Sequence, residues 1–122
     1  MNIAFIGVGS NIDAEKNISQ MLELLNKEVK ILKISSFITT KPIGIENQPD
    51  FTNGTLKIET PLKQQELKST LIKIEDKLGR NRNAQKFGPR TMDLDIIIWN
   101  GEIVDDDYYS RDFIYKSIDE IK

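Results

Sequence analysis

The sequence predicts an α+β fold with its elements in the order β-α-β-β-α-β, an antiparallel sheet packed against helices and a short helix near the C-terminal end. Three observations predict it. Two segments repeat apolar residues at helical spacing, one through Ile18, Met21, Leu22 and Leu25, the other through Leu62, Leu67, Leu71, Ile74 and Leu78. Short segments rich in β-branched and aromatic residues flank and separate them. Turn residues stand where the period changes: Gly9-Ser10-Asn11, Thr60-Pro61, Gly79 and Asn100-Gly101.

Each element has its own warrant. Ile3 to Val8 is apolar on both faces apart from Gly7, the pattern of a buried central strand. Gly9-Ser10-Asn11 reads as a turn, and Asp13 as the N-cap of a helix that Lys27-Glu28 ends. Val29 to Ile38 has β-propensity throughout and reads as the second strand. Thr39 to Asp50 holds two prolines and a glycine, and so reads as a loop of about a dozen residues, a length often tied to function. In the third strand, Phe51 to Glu59, the pleat assigns Gly54, Leu56 and Ile58 to the core. It turns Phe51, Asn53, Thr55 and Lys57 the other way. Thr60 and Pro61 are expected at N-cap and N1 of the second helix, which Gly79 stops. Glu75 falls at the margin of that helix's apolar face, where spacing alone favours a surface charge paired with a lysine. Asp95 to Trp99 is the last long strand, and Asn100-Gly101 a hairpin returning Glu102 to Val104. Asp105-Asp106-Asp107 reads as an exposed acidic turn and Ile114 to Ile121 as the final helix. The expectation is one domain, residues 1–122, of the ferredoxin-like kind with both long helices on one face.

Composition removes several classes of chemistry. With 39% apolar and 30% charged residues the chain has the balance of a globular protein. It has neither cysteine nor histidine, which excludes disulfides, zinc-thiolate sites, Ser-His triads and a histidine base. Catalysis would rest on carboxylates, cations, hydroxyls and a borrowed metal. No signal-peptide pattern or membrane span is visible, so the expected location is cytoplasmic, with no membrane partner. A net charge of -2 gives no global field for nucleic acid. RNA-recognition domains share this element order, yet the third strand lacks their basic and aromatic platform, and no nucleic-acid partner is expected. The protein is expected to be a monomer.

The chemistry concentrates between Leu78 and Trp99. Arg80, Arg82, Lys86 and Arg90 precede Asp93 and Asp95, with Gly88-Pro89 between. On an extended chain the two aspartates face one side, about 7 Å apart, and suit a hard cation that keeps positions for phosphate oxygens. Three arginines favour shaped recognition of phosphate. Taken separately, the aspartates also fit a solvated pair at a strand start, and the arginines fit surface salt bridges of little energy. Together they point to a polyphosphate with magnesium. Phe51 and Asn53, beside the long loop, would suit a flat polar ligand.

The run Lys86-Phe87-Gly88-Pro89-Arg90-Thr91-Met92-Asp93-Leu94-Asp95-Ile96-Ile97 closely resembles the signature of the 6-hydroxymethyl-7,8-dihydropterin pyrophosphokinase family of folate biosynthesis. Gly9-Ser10-Asn11, Thr40-Lys41-Pro42-Ile43-Gly44, Gln48-Pro49-Asp50-Phe51-Thr52-Asn53 and Glu75 with Leu78-Gly79-Arg80 follow in the family's order, over about residues 1 to 104. The resemblance implies transfer of pyrophosphate from ATP to the pterin hydroxymethyl group, releasing AMP. It implies two Mg2+ ions on Asp93 and Asp95, with Arg80, Arg82, Arg90 and Asp95 catalytic. Glu75, Arg80, Arg82, Arg90 and Arg111 would bind ATP, and Thr40, Pro42, Ile43, Phe51, Asn53 and Phe113 the pterin. After Gly101 the chain departs from the family pattern. It is shorter, has no His-Tyr pair, and places Asp105-Asp106-Asp107-Tyr108-Tyr109-Ser110 before Arg111. This departure raises a second reading, a pterin- or nucleotide-binding homologue impaired in turnover.

Overall fold

A computed structural model describes residues 1–80 and 88–122. Six strands form one antiparallel sheet: β1 (Asn2–Ser10), β2 (Lys30–Ile34), β3 (Ile38–Thr40), β4 (Phe51–Thr60), β5 (Asp93–Trp99) and β6 (Glu102–Ile103). Four helices accompany them: α1 (Ala14–Asn26), α2 (Gln64–Lys77), α3 (Asp107–Ser110) and α4 (Asp112–Ile121). The strand order is β2-β4-β1-β5-β6, with β3 on the far end of β4. Merging β2 with β3 leaves the split β-α-β topology of the ferredoxin-like fold, as expected.

Register explains the two faces. Pairs Ala4↔Ile58, Ile6↔Leu56 and Val8↔Leu94 point their side chains one way. There they meet Ile18, Met21 and Leu25 of α1 and Leu67, Leu71 and Ile74 of α2 in the main core. Both long helices thus share one face of the sheet. The opposite face carries α4, whose Ile114 and Ile118 pack on Ile97 with Phe5 and Phe113. The register shift opposite Phe5 and Ile6 sets one extra residue into β5, so Ile97 and its neighbour Ile98 both join this second cluster.

Several boundaries differ from the expectation. β1 runs on through Ser10, because its pairing with β4 continues to Ser10↔Thr52 instead of turning at Gly9. The expected strand from Val29 to Ile38 is broken. Ser35 donates its N–H to the Thr55 carbonyl at 2.9 Å and accepts the Thr55 N–H on its hydroxyl at 2.8 Å. A side chain thus takes a place in the ladder, and the following Ser36 N–H is free to donate to Glu120 at 2.8 Å. Phe37 then lies on Gly54, where a Cβ would stand 2.2 Å from the ring, so no other residue fits under it. Thr60 and Pro61 form a turn, closed by Leu62 N–H on Thr60 Oγ1, and do not begin α2. That helix starts three residues later, with the Glu66 carboxylate accepting the Lys63 N–H at 2.8 Å. Asp13 does precede α1, but in a left-handed conformation and with no side-chain capping bond. Asn100 and Gly101 both have positive φ, the signature of the expected two-residue hairpin. β5 begins at Asp93, two residues before the expected start, because Asp93 pairs with Gly9. No helix among the described residues is long and apolar enough to cross a membrane.

Candidate active site

The site lies on the α4 face of the sheet, at the end where β1, β4 and β5 meet the loops. Gly7 and Gly9 of β1 sit between Asp95 and Asp93 on one side and Thr55 and Asn53 on the other. Small residues in the central strand leave a hollow, and larger ones on its neighbours wall it. The resulting cavity of about 210 Å³ holds Asp93 and Asp95 on the β5 side and Phe51 and Asn53 on the β4 side. Thr40 at the end of β3 and Ile43 in the loop after it close the cavity on one side, and Arg111 and Phe113 at the start of α4 on another. Arg80 and Arg90 reach the same space.

Asn53 is buried and donates its amide to the Thr40 hydroxyl. That bond fixes both side chains at the cavity wall. Gly9 faces them so closely that a Cβ would come within 2.9 Å of Asn53 Oδ1.

Glu75 occupies a place that the spacing did not foresee. It is 3% exposed and is paired with an arginine. Its Oε2 accepts from Arg80 Nη1 at 2.7 Å and from the Leu94 N–H at 2.8 Å. The same Nη1 donates to Asp93 Oδ1 at 3.0 Å. One buried carboxylate therefore ties α2, Arg80 and the first turn of β5 into a single network.

Asp95 sits next to this network without a cation of its own in the described residues' ion pairs. Burial, then the charges of Asp93, Asp105, Glu75 and Asp107, push its carboxyl from 3.8 up to about 7. A carboxyl in that position gains from any cation placed beside it. No group of three or more acidic side chains among the described residues forms a metal cage. Two carboxylates on one strand instead match magnesium, which takes one or two carboxylates and completes its shell with water and phosphate oxygens.

A second groove opens across Asp93 and Asp95, between α2 and the chain after β6. Leu71, Ile72 and Val104 give it apolar walls, and Gln64, Lys68 and Asp105 a polar edge. The two cavities share Arg80, Asp93 and Asp95.

Most expected site residues come together here. Pro42 does not line either cavity, although its neighbours do. Glu75 lines the second groove beneath Arg80. Arg82, with Asn83, Lys86 and Phe87, falls outside the described residues. The acidic turn needs correction. Asp106 is exposed, but Asp105 and Asp107 are half-buried, and Asp107 lines the main cavity 3.8 Å from Arg111. The reason is α3, a short helix that folds this segment back against the site. Lys41 and Asp107 are lining residues that sequence reasoning missed. Lys41 was legible as part of the loop, while Asp107 required knowledge of α3.

The model of the 7,8-dihydro-6-hydroxymethylpterin-pyrophosphokinase family matches residues 5–122. The chain belongs to that family. The 2-amino-4-hydroxy-6-hydroxymethyldihydropteridine pyrophosphokinase of Bacillus subtilis is 38% identical over 131 residues, covering 98% of this chain and 78% of its own. The protein of the same name from Haemophilus influenzae is 34% identical over 137 residues, covering 99% and 82%. That from Aquifex aeolicus is 37% identical over 105 residues, covering 85% and 65%. The reaction of the family is pyrophosphoryl transfer from ATP to hydroxymethyldihydropterin in folate synthesis.

Proposed function

We infer that this chain carries out the family's reaction, moving the terminal pyrophosphoryl group of ATP onto the hydroxymethyl oxygen of 6-hydroxymethyl-7,8-dihydropterin. The oxygen–β-phosphorus bond forms, the bond from the β-phosphorus to the α-phosphate oxygen breaks, and AMP leaves. The hydroxymethyl proton is lost to solvent or to a carboxylate at the site. The observation that carries this reading is the placement of Asp93 and Asp95 opposite Phe51, Asn53 and Phe113 across one cavity.

Each wall has a part. Phe51 and Phe113 offer aromatic faces for the pterin ring, and Asn53, Thr40 and Ile43 its polar and apolar edges. The pterin would sit on the β4 side and the nucleotide on the α2 side, with its base against Ile72 and Val104. Asp93 and Asp95 would hold magnesium, two ions in our reading, which neutralises phosphate charge and aligns the reacting oxygens. Arg80, held by Glu75, and Arg90 and Arg111 supply fixed positive charge to the phosphates. Phosphoryl chemistry depends on such positioning more than on a strong base, which suits a chain without histidine.

The impaired-homologue reading drew on the acidic segment after β6. Four cations, Lys41, Arg80, Arg90 and Arg111, face three carboxylates, Asp93, Asp95 and Asp107, around the main cavity. These cations give an anionic substrate partners there, while Asp105 and Glu75 add negative charge beside Asp95 that a bound cation would offset, so either reading is served until turnover is measured. In this reading the chain acts as a monomer, with one domain over residues 1–122.

Incubation with ATP, magnesium and 6-hydroxymethyl-7,8-dihydropterin should yield AMP and the pterin diphosphate in equal amounts, and none without the metal. Tight pterin binding with no AMP at millimolar ATP would decide for the impaired homologue.

A further inference from the structure

Helix α4 carries two stripes of side chains, and the reading above uses only the start of one. Ile114, Ile118 and Ile121 are its buried stripe, at i, i+4 and i+7. Phe113, Ser117 and Glu120 repeat that spacing one residue earlier and form a second stripe beside it. Phe113 stands at the cavity. Ser117 and Glu120 bond to the sheet side. Thr55 Oγ1 donates to Ser117 Oγ at 3.1 Å, and Glu120 Oε1 accepts both the Ser36 hydroxyl and the Ser36 N–H at 2.8 Å. The Ser36 hydroxyl, then its N–H, hold the Glu120 carboxyl below its usual value.

The receiving side is equally specific. Asn53 and Thr55 share one face of β4 by the pleat, so the strand that offers Asn53 to the cavity offers Thr55 to Ser117 two residues on. Thr55 is 1% exposed, and the Ser35 hydroxyl accepts its N–H at 2.8 Å. The break in the ladder at Ser35 leaves the Ser36 N–H for α4. Burial of three isoleucines draws the helix onto the sheet, but apolar contact is non-directional and does not fix how a helix slides or rolls. Directed bonds seven residues from Phe113, about 10 Å along the axis at the helical rise, supply that registration.

We propose that Glu120 is a positioning residue for pterin binding, an assignment that rests on the pyrophosphokinase reading. Its carboxylate latches α4 to the break at Ser35 and Ser36, and Ser117 on Thr55 fixes the same stripe nearer the cavity, so Phe113 is held at the cavity wall. Without the latch the isoleucines keep α4 on the sheet, but Phe113 is free to roll, and the pterin must bear the entropy of fixing it. Arg111 is restrained separately, by Asp107 of α3, so the nucleotide side feels the latch little. The acceptor matters more than the charge. A glutamine keeps Oε1 for both Ser36 donors, while an alanine offers them nothing.

The test is calorimetry of 6-hydroxymethyl-7,8-dihydropterin with magnesium and an unreactive ATP analogue present. Glu120→Ala should raise the pterin Kd about fivefold. Ser36→Ala, which removes one of the two donors, should raise it by less and serves should Glu120→Ala not fold. Glu120→Gln should stay within about twofold of wild type. In a Phe113→Ala background, itself weaker for pterin, adding Glu120→Ala should change the Kd by less than about twofold, because the effect passes through Phe113. The Kd of the analogue, titrated alone, should change by less than about twofold in each Glu120 variant. Folded alanine variants with wild-type pterin affinity overturn the proposal, as does a Glu120→Gln as weak as Glu120→Ala. A full loss added on top of Phe113→Ala, or an equal loss for the analogue, overturns it too. A wild-type protein that binds no pterin instead overturns the functional reading, and this role of Glu120 with it.

Discussion

Glu75 Oε2 stands 2.7 Å from Arg80 Nη1 while accepting the Leu94 N–H at 2.8 Å, so one buried oxygen fixes both a cavity-lining cation and the strand of the paired aspartates. The carboxylate comes from the last turns of α2, and the arginine lies past the Gly79 stop with φ at +84°. Glu75→Ala would leave a largely buried guanidinium and a backbone N–H without this partner. Breaking a buried pair from one side costs about 3–5 kcal/mol, although Asp93 retains part of the contact and brings the expectation to the lower end. Denaturant titration should therefore show a loss near 3 kcal/mol. Turnover should also fall. A variant with wild-type stability would mean that Glu75 does not hold this network.

Asp95 makes a prediction of opposite sign. A folded-state carboxyl raised to about 7 keeps a proton that the unfolded chain releases near its ordinary value. The stability this gives the ligand-free protein is whole at low pH and is lost as pH rises toward 7. Asp95→Asn stays neutral throughout and should remove that slope. Its Tm without metal should match wild type near pH 4 and exceed it at pH 8, while turnover falls at least about a hundredfold. Thermal melts at the two pH values check the sign. A gap that does not widen with pH would show that the neighbouring carboxylates do not strain Asp95.

The sequence revealed periodic features more clearly than contacts between distant segments. The two helical stripes, the hairpin at Asn100-Gly101 and the pleat of Phe51 and Asn53 are local patterns, and each appears in the structure. The break at Ser35 was hidden, because β-propensity continues through it and only the Thr55 exchange of hydrogen bonds interrupts the ladder. Glu75 was hidden for the same kind of reason. Its helical position marks the edge of a buried face, and its partner Arg80 comes from beyond the helix end. The acidic turn looked solvent-facing because three aspartates in a row have no local partner. Its return to the site depends on α3 and on Arg111, five to six residues from Asp105 and Asp106 and four from Asp107.

A substitution at Gly9 should separate pterin binding from nucleotide binding. Its missing Cβ leaves Asn53 room at the cavity wall, and a methyl group there would stand 2.9 Å from Asn53 Oδ1. Gly9→Ala should displace Asn53 and weaken its bond to Thr40. The expected result is a KM for pterin raised about tenfold or more, from one lost hydrogen bond to ligand together with local overpacking. The Kd of an ATP analogue should change by less than about twofold, since Asn53 does not line the α2 groove. Equal effects on both ligands would place Asn53 outside a pterin-specific wall.

Arg111 tests whether the segment after Gly101 serves the nucleotide. It lines the main cavity and makes a 3.8 Å pair with Asp107, both side chains about one-third exposed. Such a pair contributes little to folding, so Arg111→Ala should leave stability within about 1 kcal/mol of wild type. A charge-assisted bond from its guanidinium to a phosphate oxygen is another matter. Losing one removes about 1.5–3 kcal/mol, which is about ten- to hundredfold in kcat/KM for ATP. Arg111→Lys should recover only part of this, because an ammonium keeps the charge but not the forked geometry. Steady-state kinetics with ATP varied at saturating pterin decides the matter. An unchanged kcat/KM for ATP would mean that Arg111 serves only to restrain Asp107.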